Sequence, residues 1–453
     1  MNTRRLFGTS GIRGVVSDDL TPDFCRQVAL AIGTTLPQAS TVCIATDTRI
    51  SREIVREAVT SGLLAAGINV VDLGMLPTPA LALLTREMSF AAGIMITASH
   101  NPPEFNGIKL FTGESLGYSQ GGEGEIERIF FQKQFRRGRR GNLGQGHDMK
   151  QKYLSFVRSK FSQSTFDRGL KIVVDPGNGA ASRFASDIFV QMGLNVLPLN
   201  DEPDGLFPGR NPEPKADTLQ GTIAFLRQHD ADLAICFDGD ADRVVFCDKE
   251  GFLGFNEPIA FISRLVIKKT GRRKVATTVE AGTLLDLAVK DLGAEVVRGR
   301  VGDVAVAYLA RELGAALGVE EVGVYIIPEA GYYPDSIFAS LLLLSELTDV
   351  REIRQFFESI PRLYFEKAKV PCPNELKEPV MAGAKEKAHL FQPLEVNALD
   401  GLRLEFRDSW MLIRASGTEP LIRVISESRS QTRADELISE GKKLVQSLVE
   451  AER

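Results

Sequence analysis

The chain has 453 residues, with 54 Lys and Arg against 59 Asp and Glu and a formal net charge of −5 at pH 7. A single domain commonly has about 150 residues, so this length predicts several domains. The acidic balance argues against a dedicated nucleic-acid-binding protein, whose binding domain carries a net positive charge. Hydrophobic residues make up 43% of the chain and charged residues 25%, a mixture that excludes disorder for most of it.

The cysteines and the apolar runs bear on the cellular compartment. The five cysteines show no paired spacing of the kind that indicates a zinc site or a disulfide framework, and Cys43 and Cys236 lie in apolar runs that predict buried thiols. The first residues contain no apolar stretch of signal-peptide length. The longest apolar run, residues 337–344, is far shorter than the roughly 20 residues of a membrane span. These features predict a cytoplasmic protein without a membrane partner.

A helical pattern that ends in glycine and is followed by a β-branched run occurs three times, at residues 61–74, 189–200 and 288–300. Glycine suits the left-handed residue that ends a helix, and the run after it predicts a buried strand. Strands that alternate with helices predict βαβ units and mostly parallel sheets. The sequence therefore predicts an α/β protein with three successive, similar domains of mixed or parallel sheet and a smaller C-terminal α+β domain.

Changes in composition indicate the domain boundaries. Residues 134–148 are Gly-rich and polar, and the arginines there lack interleaved aromatic residues, so a solvated loop is favoured over a nucleic-acid patch. Residues 366–377 contain two prolines and scattered charge, which predicts another boundary. An amphipathic pattern near the C-terminus predicts a final helix around residues 433–451. We expect four domains, at residues 1–148, 149–251, 252–366 and 367–453.

The first chemical motif is ITASHNPPEFNGIK at residues 96–109. Ser99 follows an apolar strand, so its hydroxyl would stand at the carboxyl end of that strand, where open α/β sheets bind ligands. Lys109 adds a fixed cation. The alternative is an ordinary turn with a capping serine, and a lone Ser-His pair without nucleophile-elbow spacing is weak support for a hydrolase triad.

The second motif is FDGDADRVVF at residues 237–246, where Asp238, Asp240 and Asp242 alternate. Three carboxylates on one side of a loop repel one another unless a hard divalent cation neutralises them. A calcium hand would need glycine and glutamate at the positions of Arg243 and Lys249, so that interpretation fails. The loop predicts a Mg²⁺ site with open positions for a phosphate oxygen, and a solvated acidic turn is the alternative.

Two further segments complete the set. Residues 412–424, LIRASGTEPLIRV, combine hydroxyls, a glycine and two arginines, which is the composition of an anion cradle for a phosphate. Residues 318–331 carry Glu320 and Glu321 as acceptors for sugar hydroxyls. A serine, a metal loop, an acidic loop and a phosphate cradle together predict phosphoryl transfer, with the serine as covalent carrier.

The motifs TASHNPPEFNGIK, DGDADR and RASGTEP, with FGTSGIRG at residues 7–14, resemble those of the α-D-phosphohexomutase family. Its members include phosphoglucomutase/phosphomannomutase and phosphoglucosamine mutase, and the motifs occur in the family's order across nearly the whole chain. The resemblance implies four domains around a central cleft. It also implies an isomerase, an intramolecular phosphotransferase that interconverts hexose 1-phosphate and hexose 6-phosphate.

The resemblance implies a role for each matching residue. The phosphoserine would be Ser99, which with the three aspartates would bind Mg²⁺. The groups around the transferring phosphoryl group would be Arg13, His100, Lys109 and Arg243, with Lys109 a candidate for proton handling. The substrate's other phosphate would be held by Arg414, Ser416, Gly417, Thr418 and Arg423, and the sugar by Glu320, Glu321 and Gly323. A hexose 1,6-bisphosphate would be intermediate and activator, turning in the cleft of a monomer or homodimer.

The chain departs from the family in the loop for the sugar. Many relatives read G-G-E-x-S-G-H, whereas this chain has Val322 and Val324 at the Ser and His positions. Valine neither donates nor accepts a hydrogen bond, so the choice of sugar is left open. We expect a phosphohexose of glucose, mannose or glucosamine. The alternatives are a phosphopentomutase, a sugar bisphosphate synthase or phosphatase, and an inactive sugar-phosphate sensor.

Overall fold

The computed structural model describes residues 5–452, apart from residues 9, 137, 167, 168 and 418. Over this part of the chain the strands form four sheets with helices packed against them. The first three sheets combine parallel and antiparallel strands, and the fourth is antiparallel throughout. The predicted fold class is confirmed: three successive α/β domains are followed by a smaller α+β domain.

The first sheet has six strands. They are β1 (Ile12–Val15), β2 (Thr41–Thr46), β3 (Asn69–Met75), β4 (Ala92–Ile96), β5 (Phe105–Thr112) and β6 (Leu143–Gln145). Its helices are α1 (Pro22–Thr35), α2 (Arg52–Ala65), α3 (Thr78–Glu87) and α4 (Gln120–Gln132). Helix α1 begins where its sequence predicts, because Thr21 Oγ1 accepts the Phe24 N–H and proline takes the first helical position.

The second sheet has four strands. They are β7 (Lys171–Asp175), β8 (Asn195–Pro198), β9 (Leu233–Phe237) and β10 (Val244–Cys247), with helices α5 (Met149–Lys160), α6 (Ala185–Gln191) and α7 (Gln220–Gln228). Strand β9 is buried along its whole length, as expected of an apolar run in the middle of a sheet.

The third sheet also has four strands. They are β11 (Lys274–Thr278), β12 (Glu295–Gly299), β13 (Leu317–Glu320) and β14 (Val324–Ile326). Its helices are α8 (Asn256–Thr270), α9 (Leu284–Val289), α10 (Asp303–Leu313), α11 (Ser336–Glu346) and α12 (Arg351–Glu358), and a 3₁₀ turn at Lys290–Leu292 follows α9. Nearly every residue of α11 is buried, which accounts for the longest apolar run of the sequence.

The fourth sheet has five strands in the order β15-β19-β18-β17-β16. They are β15 (Tyr364–Pro371), β16 (Glu395–Asn397), β17 (Leu402–Glu405), β18 (Ser409–Ala415) and β19 (Leu421–Ser428). Helices α13 (Lys377–Glu386) and α14 (Gln431–Ala451) and two 3₁₀ turns, at Asn374–Leu376 and Lys387–Phe391, complete this domain. Helix α14 is the predicted C-terminal amphipathic helix. The expected boundary between residues 366 and 367 falls inside β15.

One arrangement of four strands recurs in the first three sheets. The orders β3-β2-β4-β5, β8-β7-β9-β10 and β12-β11-β13-β14 are the same, with three parallel strands and a fourth, antiparallel one. In each case the last two strands form a hairpin. The three hairpin loops carry the Ser99 motif, the aspartate motif and the acidic motif, so the repeat places all three at equivalent positions.

Two details differ from the sequence prediction. The runs expected to be buried strands at β8 and β12 each pair with one strand only, and both strands are largely exposed or half-buried, because they lie at sheet edges. The loop at residues 134–148 is not uniformly solvated. Arg136 donates to the carbonyls of Gly33, Leu36 and Ala66, where its cation neutralises the C-terminal ends of α1 and α2.

The apolar core is continuous through the first three domains. One cluster includes Leu84 of α3, Phe237 of β9 and Phe338 of α11. The fourth domain has a core of its own, between its sheet and helices α13 and α14. All five cysteines are free and buried, as expected for Cys43 and Cys236. Among the described residues, no helix combines the length and the apolar character needed to cross a bilayer.

Candidate active site

The loop between β4 and β5 presents Ser99 at a buried position. Ser99 is 1% exposed and has a φ of 52°, in the left-handed region that few residues other than glycine adopt. Its Oγ donates to Asp238 Oδ2 at 2.7 Å and lies 3.3 Å from His100 Nδ1. The hydroxyl therefore points at the aspartate motif of the second domain.

Arg49 holds the loop that carries Ser99. It is fully buried, and its Nε donates to Asp47 Oδ2 at 3.0 Å. Its Nη2 donates to the carbonyls of Ser99 at 2.9 Å and Asn101 at 2.6 Å. Its Nη1 donates to the carbonyls of residues 102 and 105. One guanidinium thus fixes the backbone from Ser99 to residue 105.

Residues 238–243, the hairpin loop between β9 and β10, form what we call the metal loop. Carboxylate oxygens of Asp238, Asp240 and Asp242 lie within 4.8 Å of one another. Within the part of the chain that the structure describes, the Oδ1 atoms of Asp240 and Asp242 are buried and accept no hydrogen bond. Buried carboxylate oxygens without a donor are costly unless a cation takes the place of the donor. The loop therefore fits a hard divalent metal.

Lys109 brings a positive charge to the metal loop. Its Nζ donates to Asp240 Oδ2 at 2.7 Å and to Asp242 Oδ2 at 2.6 Å. Burial disfavours the ammonium, but the two carboxylates outweigh it and raise the pKa of Lys109 above its usual value. Burial likewise disfavours the Asp242 carboxylate, yet Lys109 and Arg243 hold the pKa of Asp242 below its usual range.

Three more predicted residues lie around Ser99. Arg13, on β1, donates to Asn101 Oδ1 at 2.8 Å. Arg243 lies at the end of the metal loop, where its pKa is raised because nearby carboxylates outweigh the effect of burial. Burial and these two guanidinium groups lower the pKa of His100 to about 2. The His100 ring is therefore uncharged between two cations.

Residues 318–324, which we call the sugar loop, pack on the metal loop. The Gly323 carbonyl accepts the Val244 N–H at 2.9 Å, and a side chain at Gly323 would approach Val244 O to 2.4 Å. Glu320 Oε1 accepts the N–H of Gly302 and Glu321 Oε1 that of Gly282, both at 2.9 Å. Burial raises the pKa of both glutamates to about 7.

The two valines of the sugar loop have different surroundings. Val322 is 38% exposed, whereas Val324 is 2% exposed. Val324 packs in an apolar cluster with Val306 of α10 and Leu116. Of the two, Val322 alone is therefore open to solvent, and the Val324 side chain belongs to the core of the third domain.

The predicted phosphate cradle is the turn between β18 and β19, and Arg414 and Arg423 are cross-strand neighbours beside it. Arg414 bonds to Glu280 at 3.0 Å and to Asp400 at 3.1 Å. Arg423 bonds to Glu419 at 3.0 Å. Ser416 is buried, whereas Gly417 is open, since a side-chain carbon at that position would meet no described atom within 4 Å. Thr418 lies outside the described residues.

Ser99 and the cradle are at the two ends of one series of charged neighbours. The Asp238 that accepts from Ser99 interacts with Arg243, and Arg243 interacts with Glu320. Glu320 in turn interacts with Glu280, which bonds to Arg414. The structure therefore brings Ser99, His100, Lys109, Arg13, Arg243 and the aspartates together, and the cradle joins them through the third domain.

Sequence models of the four phosphoglucomutase/phosphomannomutase domains match this chain in order. The three α/β/α domains match residues 4–137, 151–251 and 256–364, and the C-terminal domain matches residues 368–441. The chain belongs to the phosphoglucomutase/phosphomannomutase family.

Individual members of the family align with the chain over its whole length. A protein of Pyrococcus abyssi named "Probable phosphoglucosamine mutase" is 38% identical over 98% of both chains. A "Phosphoglucomutase/phosphomannomutase" of Thermococcus kodakarensis is 34% identical over 98% of both. The crystal structure of a phosphoglucomutase/phosphomannomutase family protein from Burkholderia thailandensis superimposes with a TM-score of 0.84, at 27% identity over 97% of both chains. The predicted enzyme, a phosphosugar mutase and thus an isomerase, is confirmed.

Several side chains of the site have no counterpart in the sequence prediction. Asp47 and Arg49 follow the apolar strand β2 directly, so the reasoning applied to Ser99 could have found them. Thr78 donates to Asp240 Oδ2 at 2.6 Å, and Tyr333 donates to Asp242 Oδ2 at 2.8 Å. These two residues lie in other domains, and no local pattern marks them.

Proposed function

We propose that the chain interconverts hexose 1-phosphate and hexose 6-phosphate, with Ser99 carrying the phosphoryl group and Mg²⁺ bound at the metal loop. The observation that carries the proposal is the 2.7 Å bond from Ser99 Oγ to Asp238. Asp238 shares a cluster with Asp240 and Asp242, whose Oδ1 atoms are buried and accept no hydrogen bond from the described residues. A phosphate on Ser99 would therefore share a site with the metal ligands.

The residues that would hold Mg²⁺ are Asp238, Asp240 and Asp242, together with an oxygen of phosphorylated Ser99. When bound, the ion neutralises charge on the phosphate oxygens in the transition state. Lys109 donates to Asp240 and Asp242 and adds a second positive charge to the site. The loop thus holds a compact set of opposite charges beside Ser99.

In the forward half-reaction, the bond between phosphorus and Ser99 Oγ breaks and a bond to the sugar oxygen forms. The proton of the sugar hydroxyl ends on Ser99 Oγ. The His100 ring lies 3.3 Å from Ser99 Oγ, and His100 and Lys109 are the candidates to pass this proton. Arg13 and Arg243 stabilise the negative charge of the phosphoryl oxygens. Lys109 thus keeps the role in proton handling that the family resemblance suggests, beside its bonds to Asp240 and Asp242.

The second half-reaction needs the opposite phosphate at Ser99. The hexose 1,6-bisphosphate intermediate would turn in the cleft, with the outer phosphate at Arg414, Ser416, Gly417, Thr418 and Arg423. Glu320, Glu321 and Gly323 would contact the sugar in both orientations. Arg414 already bonds to Glu280 and Asp400, so a phosphate would replace carboxylates as the partner of this guanidinium.

We favour glucosamine phosphate as the hexose. Relatives that are 38% and 39% identical carry the name "Probable phosphoglucosamine mutase". Glu320 of the sugar loop is repelled by two other carboxylates, Asp303 and Glu280. A sugar ammonium would relieve the mutual repulsion of these carboxyls. We also propose a cytoplasmic location, a monomer or homodimer, and domain boundaries after residues 148 and 251, with the last boundary moved to the start of β15.

A coupled mutase assay tests the function. The full chain receives Mg²⁺, a catalytic trace of glucose 1,6-bisphosphate, and the 1-phosphate of glucosamine, glucose, mannose or ribose. We expect turnover of glucosamine 1-phosphate, abolished by EDTA and restored by Mg²⁺. Turnover of glucose 1-phosphate or mannose 1-phosphate alone would show that the substrate is that hexose and not glucosamine. Turnover of ribose 1-phosphate alone would indicate a phosphopentomutase. Release of free phosphate or of bisphosphate without mutase product would favour the phosphatase or synthase alternative.

A further inference from the structure

Each aspartate of the metal loop accepts a hydrogen bond on one oxygen from a hydroxyl group of another domain. In all three cases the acceptor is Oδ2. The donors are Ser99 to Asp238 at 2.7 Å, Thr78 to Asp240 at 2.6 Å and Tyr333 to Asp242 at 2.8 Å. For Asp240 and Asp242 the other oxygen, Oδ1, is buried and has no donor in the described residues. Asp238 differs, because its Oδ1 accepts the Arg243 N–H at 3.1 Å. In Asp240 and Asp242 the hydroxyl therefore occupies one oxygen and leaves the other without a donor.

Tyr333 reaches the loop from the third domain and is held firmly. Its side chain is 4% exposed, and its ring makes an edge-to-face contact with Phe111 at 4.7 Å between centroids. Its hydroxyl also accepts from Lys109 Nζ at 3.3 Å. Three residues later, Ser336 Oγ donates to the Ala241 carbonyl within the same loop. The segment 333–336 therefore holds the metal loop at two points, the Asp242 carboxylate and the Ala241 carbonyl.

We propose that Tyr333 is a positioning residue of the metal site. Its O–H holds Asp242 Oδ2 and fixes the rotation of the carboxylate, so that the donor-free Oδ1 would be available to a cation without rearrangement. A hydrogen bond to the second oxygen of a ligand typically matters for metal affinity as well as geometry. The inference rests on the proposed function, since it concerns the metal that this function requires.

The matched control is Tyr153. Its hydroxyl donates to both oxygens of Asp335, at 2.8 and 2.9 Å, and it is buried like Tyr333. Asp335 lies two residues after Tyr333 and caps helix α11. Tyr153→Phe therefore removes the same kind of buried bond from the same segment, without touching a carboxylate of the metal loop.

The test measures Mn²⁺ binding to the full chain, phosphorylated on Ser99, by titration calorimetry and by the loss of the free Mn²⁺ paramagnetic resonance signal. We expect Tyr333→Phe to weaken Mn²⁺ binding by about tenfold or more, with the thermal midpoint lowered as much as in Tyr153→Phe. We expect Tyr153→Phe to bind Mn²⁺ as the unaltered chain does.

The outcomes separate the two proposals. Unchanged Mn²⁺ affinity in Tyr333→Phe would overturn the positioning role, as would an equal loss of affinity in Tyr153→Phe, which would show that stability of the segment alone matters. If the unaltered chain binds no Mn²⁺ and its mutase activity survives EDTA, the metal of the proposed function is wrong, and the positioning role with it.

Discussion

Val322 and Val324 lie in the same loop, yet their surroundings differ. Both take the place of polar residues that many relatives carry in the sugar loop. Val324 is enclosed by apolar side chains of the third domain, whereas Val322 is 38% exposed. We therefore expect a change of polarity at Val322 to act at the surface of the sugar loop, and the same change at Val324 to act on the core.

We predict that Val322→Ser leaves stability within about 0.5 kcal/mol of the unaltered chain, because the site is partly solvated. Val324→His should lose roughly 2–4 kcal/mol, since it buries a polar ring without a partner. Chemical denaturation measures both, and KM for the hexose phosphate should move in Val322→Ser only. Equal destabilisation by the two substitutions would contradict this interpretation of the loop.

The sequence predicts the residues of the site where polar side chains lie close to one another along the chain. Asp238, Asp240 and Asp242 alternate beside an apolar strand, and the repulsion among them is visible without a structure. Tyr333 could not be found in this way. It contacts Asp242 from 91 residues away, and its neighbours along the chain, Tyr332 and Pro334, carry no charge that would mark a metal site. Ser99 is also more enclosed than its place at a strand end suggests, because the metal loop covers it.

At the scale of elements, most predicted site residues of the three α/β domains lie at the same hairpin, the one between the last two strands of the recurring four-strand arrangement. The Ser99 loop, the metal loop and the sugar loop all occupy it, and the cradle between β18 and β19 is a hairpin as well. Gly239 shows how closely two of these loops approach, since a side chain there would come within 2.4 Å of the Ser99 carbonyl. Facing hairpins thus bring separate domains to one point.

We predict that Arg49→Lys lowers kcat by about 10- to 100-fold with a smaller change in KM. Lysine cannot reach the four carbonyls of the Ser99 loop at once, so the serine loses its alignment with the metal loop. Steady-state kinetics on the hexose phosphate measures the changes in kcat and KM separately. Arg56→Lys is the control, because Arg56 bonds to Glu53 and Asp72 on the nearby surface. A change in KM alone, or an equal loss of kcat in the control, would refute the positioning of Ser99 by Arg49.

The helix–glycine–strand pattern predicted the repeat correctly, and it failed at the edges of the sheets. A β-branched run predicts a strand, yet it does not tell whether a neighbour lies on both sides, because that depends on strand order. Strands β8 and β12 are edge strands for this reason. Arg136 was expected in solvent because residues 134–148 are Gly-rich and polar, and no local signal shows that it meets the ends of two helices.

At the scale of the whole molecule, the first three domains share one core, and the fourth docks on the third through an apolar cluster, which includes Val279 and Trp410, and through hydrogen bonds. Arg403 donates to the carbonyls of Val279 and Ala281 at 2.7 and 2.8 Å. Glu427 accepts the Thr283 N–H at 2.8 Å. Glu321 lies beside this interface, where burial and the nearby Glu427 raise its pKa to about 7. We therefore expect the stability of this interface to depend on pH.

A carboxyl whose pKa is higher in the folded than in the unfolded state binds its proton more tightly when folded. Its contribution to stability is complete below about pH 4.5, the ordinary glutamate value, and is lost as the pH rises through about 7. We predict that Glu321→Gln, which keeps an acceptor for Gly282 N–H, raises the unfolding midpoint at pH 8 by roughly 2–4 °C. At pH 5 the gain should be smaller. Calorimetry checks this, with the exposed Glu295→Gln as control; a gain that is the same at both pH values would contradict it.

The central claim is that Ser99 carries the phosphoryl group during turnover. The direct measurement incubates the full chain with hexose 1,6-bisphosphate labelled with ³²P, maps the label by peptide mass spectrometry, and chases it with unlabelled hexose 6-phosphate in a quenched-flow experiment. We predict that the label resides on Ser99 alone and leaves for the sugar at least as fast as kcat, and that Ser99→Ala neither takes up label nor turns over substrate. Label on another residue, or mutase activity that survives in Ser99→Ala, would contradict the account.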